Sequence, residues 1–239
     1  MELIAPGEAH LFLVRLDAAR DERLLDEWRE LLSPEERARG DRYLFPRNRH
    51  EHLVAHALKR QALSRFAPSV DPRDWRFVAG EHGKPSIVEP ACRLRFNLSH
   101  TDGLVACLVA LDAEVGVDVE QTARRSDTVG IADRFFAVPE VEALRALPES
   151  AQRARFFEYW TLKEAYIKAR GMGLALPLGG FWFTLAPPAA PTIGFAPAIV
   201  DEPERWSFFQ GWLDPSFRVA ACVERVAGAE APRLVEATL

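Results

Sequence analysis

Cysteine is scarce in this chain of 239 residues: Cys92, Cys107 and Cys222 are its only three, and their spacing is not that of a metal site. The scarcity excludes a disulfide-built scaffold and leaves the thiols as small apolar residues suited to a reducing compartment. Long apolar runs are also missing. No segment approaches the ~20 residues of a membrane span, and no charged start followed by an apolar stretch opens the chain, so a soluble cytoplasmic protein is expected. A basic excess is absent too. The net charge of -5 argues against a sequence-independent nucleic-acid binder, which needs positive charge to displace counterions from phosphates. What remains is an ordinary globular balance of 48% apolar and 27% charged residues, long enough to bury a core without staples as one large domain or two small ones.

Within that balance, charge stands in unexpected places. Residues 157–171 read as one helix ending at Gly171, with Phe157, Trp160 and Ile167 on one arc. Glu164 falls inside that arc and Lys168 at its edge, so the helix either faces something charged or carries an i,i+4 pair on a solvated side. The segment 115–120 alternates, sending Val115, Val117 and Val119 to one face and Gly116, Asp118 and Glu120 to the other. Two carboxylates ~7 Å apart on one face suit a hard cation such as magnesium, or form the acidic outer face of a half-buried strand. Ser99 and His100 follow a strand at 94–98, where they either hold a ligand or satisfy turn backbone. His52 and His56 have the i,i+4 spacing of a zinc pair, without a cysteine or acidic third ligand nearby. Gly83 and Pro85 make a turn that projects Lys84.

The order of elements repeats. A helix containing Ala57-Leu58-Lys59-Arg60 precedes a strand at 75–78, a strand from 94 and the apolar strand Val105-Ala106-Cys107-Leu108-Val109. A helix containing Thr161-Leu162-Lys163-Glu164 precedes a strand at 182–184, a strand from 206 and Val219-Ala220-Ala221-Cys222-Val223. The pattern predicts an α+β pseudo-dimer of two similar subdomains, residues 1–111 and 112–239, with a cleft between them. A proline- and alanine-rich surface loop is expected at 187–197, and a poorly anchored tail after 227.

Four motifs in order carry a family resemblance. Trp160-Thr161-Leu162-Lys163-Glu164-Ala165-Tyr166-Ile167-Lys168 resembles the W-x-x-K-E-A-x-x-K signature of the Sfp-type 4'-phosphopantetheinyl transferases. Gly116-Val117-Asp118-Val119-Glu120 is similar to their G-[IV]-D-[IV]-E strand, Phe96-Asn97-Leu98-Ser99-His100 to their F-N-[IL]-S-H turn, and Gly83-Lys84-Pro85 to their G-K-P loop. The resemblance covers roughly residues 33–183. It implies a monomer that moves the 4'-phosphopantetheine arm of coenzyme A to a serine of an apo acyl or peptidyl carrier protein, releasing adenosine 3',5'-bisphosphate. It casts Asp118, Glu120 and Glu164 as Mg2+ ligands and Lys168 as a contact to the coenzyme A pyrophosphate. Lys84, Ser99 and His100 become contacts to its adenine and 3'-phosphate end. Glu164 and Lys168 are then the catalytic pair, although the sequence leaves open which carboxylate takes the serine proton. One departure is visible: Glu36 and Glu51 stand where the family places bases for the 3'-phosphate, Arg39 fits one expected position, and Arg49 or His50 is set to compensate. A non-catalytic module binding coenzyme A or a carrier is the alternative, as is another metal-dependent enzyme of nucleotide phosphates.

Overall fold

The computed structural model describes residues 4–123 and 129–237. The first half runs β1 (Glu8–Arg15), α1 (Glu22–Leu31), α2 (Pro34–Asp41), α3 (Pro46–Phe66), β2 (Arg76–Ala79), β3 (Pro85–Glu89), β4 (Leu94–Thr101) and β5 (Leu104–Leu111). The second half runs β6 (Val115–Gln121), α4 (Ala132–Phe135), α5 (Val138–Arg145), α6 (Glu149–Arg170), β7 (Phe181–Thr184), β8 (Thr192–Phe195), β9 (Trp206–Asp214) and β10 (Phe217–Glu224), followed by β11 (Arg233–Ala237). No helix among the described residues is long and apolar enough to cross a membrane.

Local chemistry sets the helix ends. Asp21 accepts from the N–H of Leu24 to start α1, and Ser33 and Glu36 form a reciprocal capping box with Pro34 at the first turn of α2. Pro46 opens α3, and Gly171 closes α6 in the left-handed region at φ 65.

The expected repeat is present as topology. One sheet has the order β11-β1-β5-β4 and the other β6-β10-β9, so within each half the first strand pairs with the last, which pairs with the one before it. All of these within-half pairings are antiparallel. The hairpins β2-β3 and β7-β8 occupy matching places. Each half wraps one long helix on the outer face of its sheet. Val105, Cys107 and Val109 of β5 pack under α3, while Ala220 and Cys222 of β10 pack under α6. The opposite faces of both strands meet in a third core between the sheets, with Val115, Val117 and Val119 from β6. The eight-residue β5 is buried along its whole length, as a strand between two apolar layers must be.

The sheets are joined at β4 and β6 by side chains. Asn97 Oδ1, Ser99 Oγ and Thr101 Oγ1 accept in turn from the backbone N–H groups of Val117 at 2.9 Å, Val119 at 3.2 Å and Gln121 at 3.2 Å. Alternate residues of one strand thereby replace a backbone ladder.

Three expectations need correction. Ser99 and His100 are not in a turn: β4 continues through them to Thr101 because their partners on β5 extend it. The stretch 187–197 is not all loop, since β8 lies within it and Ile193 is buried against the α6 core. The tail is anchored. β11 pairs in parallel with β1, with Leu234 packing on the core between the sheets and Ala237 on the α3 core.

Candidate functional site

Gly116 determines how closely α6 approaches β6. A Cβ built there would lie 2.0 Å from the carbonyl oxygen of Ala165 and 2.4 Å from the backbone nitrogen of Ala169, so only glycine admits the helix at this depth. Glu164 and Lys168 each precede one of those alanines. The close contact therefore brings them to the strand face that carries Asp118 and Glu120.

Lys168 Nζ donates to Asp118 Oδ1 at 2.7 Å, Ser99 Oγ at 2.9 Å and the carbonyl of Val117 at 3.1 Å. Ser99 Oγ in turn donates to Asp118 Oδ1 at 3.0 Å. With Val119 N–H and Lys168 as donors to it, the Ser99 hydroxyl is fully engaged, so it orients Asp118. Trp160 Nε1 donates to Glu120 Oε1 at 3.2 Å, a partner for Glu120 that helical spacing did not suggest.

The cluster holds more negative charge than Lys168 neutralises. Burial, and then the charges of Asp118 and Glu120, push the Glu164 carboxyl up to about 7 despite Lys168 nearby. Asp118 Oδ2 is buried without a hydrogen-bond partner among the described residues. An orphaned carboxylate oxygen beside a carboxyl that resists ionisation is the signature of a place short of a cation, and an all-oxygen donor set suits a hard divalent ion. Among the described residues no three acidic, imidazole or thiol side chains already stand in ligating positions, and Lys168 lies directly against Asp118.

His100 follows Ser99 on β4 but points to the other face, into a cavity of about 830 Å³ bounded by α2, α3 and the β2-β3 hairpin. Its Nδ1 lies 2.7 Å from Glu51 Oε1. Arg39, Gly83 and Pro85 line the same cavity. Glu36, one of the two acids standing in place of a base, is turned inward. Its Oε1 accepts from Lys59 Nζ and meets His56 Nδ1, both at 2.8 Å, while Arg60 Nε reaches its Oε2 at 2.9 Å. Burial alone would raise this carboxyl, but the His56 hydrogen bond and the Lys59 charge hold it well below the usual range. Its charge is consumed within the wall of the cavity.

Two of the expected contacts lie apart. Lys84 Nζ donates to Glu114 Oε2 at 2.6 Å and to the carbonyl of Ala169 at 2.8 Å, linking the hairpin to the end of α6. Arg49 is exposed and donates to the carbonyl of Tyr43, lining a different, smaller surface depression. His52 Nε2 lies against the carbonyl of Glu36 at 2.8 Å, and His56 against its side chain, so the zinc-spaced pair serves the Glu36 network.

Residues 114–222 match the family model described as the 4'-phosphopantetheinyl transferase superfamily. The chain is 36% identical over 170 residues to the 4'-phosphopantetheinyl transferase HetI of Nostoc sp., covering 70% of each. It is 31% identical over 202 residues to the 4'-phosphopantetheinyl transferase Sfp of Bacillus subtilis, covering 82% of this chain and 84% of that one. With the 4'-phosphopantetheinyl transferase psf-1 of Bacillus pumilus the identity is 30% over 219 residues, covering 90% and 88%. With relatives this similar aligned over most of its length, the chain belongs to the 4'-phosphopantetheinyl transferase superfamily.

Proposed function

We infer that the protein transfers the 4'-phosphopantetheine arm of coenzyme A to a serine of an apo acyl or peptidyl carrier protein and releases adenosine 3',5'-bisphosphate. The observation that carries this reading is the gathering of Asp118, Glu164 and Lys168 around Ser99 at the junction of the two sheets, in a chain of this family. The serine oxygen forms a bond to the phosphorus bearing the pantetheine arm, and the bond from that phosphorus to the bridging oxygen breaks. The electron pair leaves with the bisphosphate, and the serine proton goes to a carboxylate. Glu164, set close to Asp118 and Lys168, is the carboxylate cast for that role. Lys168 supplies positive charge to the pyrophosphate, while Ser99 keeps Asp118 oriented.

Asp118, Glu120 and Glu164 would hold Mg2+, whose contribution when bound is to neutralise charge on the phosphate oxygens. The cavity beside His100 would take the adenine and 3'-phosphate end, with Arg39 as its base and Glu36 already neutralised by Lys59 and Arg60. The subdomain boundary falls at 111/112 between β5 and β6, with β11 returned to the first sheet. The buried thiols of Cys107 and Cys222 suit a reducing, cytoplasmic setting, and in this reading the chain acts as a monomer. Incubation with coenzyme A, Mg2+ and a series of apo carrier proteins, followed by weighing the carriers, tests the reading. A mass gain equal to the phosphopantetheine arm is expected. Coenzyme A binding with no mass gain on any carrier would leave only a binding module.

A further inference from the structure

The cavity beside His100 offers little accessible positive charge. Lys59 and Arg60 lie in its wall, 3% and 1% exposed, and their N–H groups are taken. Lys59 turns to Glu36 and lies over the ring of Phe77, while Arg60 turns to Glu36 and to the carbonyls of Pro72 and Trp75. The cations that stay exposed are Arg39 and Arg76, and the acids Glu35 and Glu51 line the same cavity. Arg76 Nη1 already donates to the carbonyls of Arg73 at 2.7 Å and Trp75 at 3.3 Å.

Glu51 also engages the imidazole. It reaches from α3 to β4, where its Oε1 lies 2.7 Å from His100 Nδ1, so the ring can offer an incoming phosphate only Nε2. In the neutral tautomer that donates from Nδ1 to Glu51, Nε2 is an acceptor and repels phosphate oxygens. In the charged ring Nε2 donates, but the Glu51 carboxylate beside it cancels the charge. Arg49 and His50, the two residues set to compensate, are turned elsewhere. Arg49 donates to the carbonyl of Tyr43 at 3.2 Å, His50 Nε2 lies 3.1 Å from the carbonyl of Leu16, and neither lines this cavity. A 3'-phosphate brings about two negative charges at neutral pH and would meet Arg39 and the Glu51 carboxylate in one cavity. The adenosine end without that phosphate meets the same cavity with no such conflict.

Building on the transfer reading above, with the adenosine end of the donor beside His100, we propose that Glu51 sets the donor specificity of this chain. The cavity takes the adenosine end with or without its 3'-phosphate, and dephospho-coenzyme A donates the 4'-phosphopantetheine arm as readily as coenzyme A does. With that donor the serine oxygen bonds to the same phosphorus and the bond to the bridging oxygen breaks. The electron pair then leaves with adenosine 5'-monophosphate, and the serine proton goes to the carboxylate as before.

The test sets the full chain, with Mg2+, against coenzyme A and dephospho-coenzyme A, by calorimetry without a carrier and by the mass gain of an apo carrier protein. The wild-type dissociation constants for the two donors should agree within about threefold, and so should the kcat/KM values. Glu51→Arg should shift the ratio toward coenzyme A by about tenfold or more, by tightening coenzyme A and leaving dephospho-coenzyme A unchanged. Glu51→Gln keeps the shape and removes the charge, and should shift the ratio the same way by about threefold. A wild-type preference for coenzyme A of about tenfold or more overturns the proposal, as does binding of neither donor up to about 1 mM. So do substitutions that weaken both donors together with the ratio unmoved, the result of a merely structural role for Glu51. Equal binding of the two donors with no mass gain from either contradicts the transfer reading and upholds the specificity proposed for the cavity.

Discussion

Lys163 and Glu140 form an ion pair at 2.7 Å with both side chains fully buried. Burial raises the Glu140 carboxyl and lowers the Lys163 ammonium, so the pair survives only because every polar atom is satisfied. Lys163 donates to the carbonyls of Leu178 and Phe181, and Glu140 accepts from the N–H groups of Ala137 and Phe183. The lysine next to Glu164 therefore ties α5 and β7 to α6. Lys163→Met should destabilise the protein by about 3–5 kcal/mol in urea unfolding, and adding Glu140→Gln should recover part of the loss, because the uncompensated buried charge is then gone. His56 gives a pH dependence. It faces Glu36, Lys59 and His52, and burial holds it down to about 4 despite the Glu36 hydrogen bond. The neutral ring donates from Nδ1 to Glu36. Its folded value lies below the ordinary one, so its contribution is complete above pH 6.5 and is lost as pH falls towards 4. That loss is on the order of 3 kcal/mol. His56→Gln keeps a donor that does not titrate, and thermal melts between pH 7 and pH 4 should show a shallower acid decline for the variant. Parallel declines would contradict the assignment.

At the scale of elements, the contact between β6 and α6 is the critical one. Gly116→Ala must push α6 outward against Ala165 and Ala169, which moves Glu164 and Lys168 away from Asp118. Transfer should fall by about 100-fold while coenzyme A binding, proposed at the His100 cavity, falls less, checked by steady-state rates and calorimetry. Much of this was legible beforehand. Strict alternation placed Asp118 and Glu120 on one face, and helical spacing placed Glu164 and Lys168 on another, so each half of the site followed from local periodicity. What periodicity could not give was the partner across the gap. Lys84 sits in a turn that projects it, yet it is pinned by Glu114 and the Ala169 carbonyl, far along the chain. Glu36 reads as a missing base because Lys59 and Arg60, which neutralise it, lie on the next helix. Ser99 reads as a turn residue because the residues that continue its ladder, Ala106 back to Leu104 on β5, lie beyond the tight turn at Asp102 and Gly103.

Across the whole molecule, a repeated order of strands is turned into one asymmetric enzyme. In both halves the first strand pairs with the last and the last with the one before it, the order that the weakly similar helix and strand segments suggested. The asymmetry lay outside the repeat: β11 returns from the end of the chain to pair with β1, a pairing that a short strand of five residues does not announce. The junction of β4 with β6 is sutured by Asn97, Ser99 and Thr101, and there Asp118 stands beside Lys168. The central claim is that this sutured junction is where the phosphopantetheine arm is transferred. It is tested most directly by mass spectrometry of an apo carrier protein incubated with coenzyme A, Mg2+ and either the wild-type chain or Glu164→Gln. The prediction is full conversion by the wild type and a loss of about 100-fold or more in the variant, with coenzyme A still bound. Conversion by Glu164→Gln at the wild-type rate would contradict it.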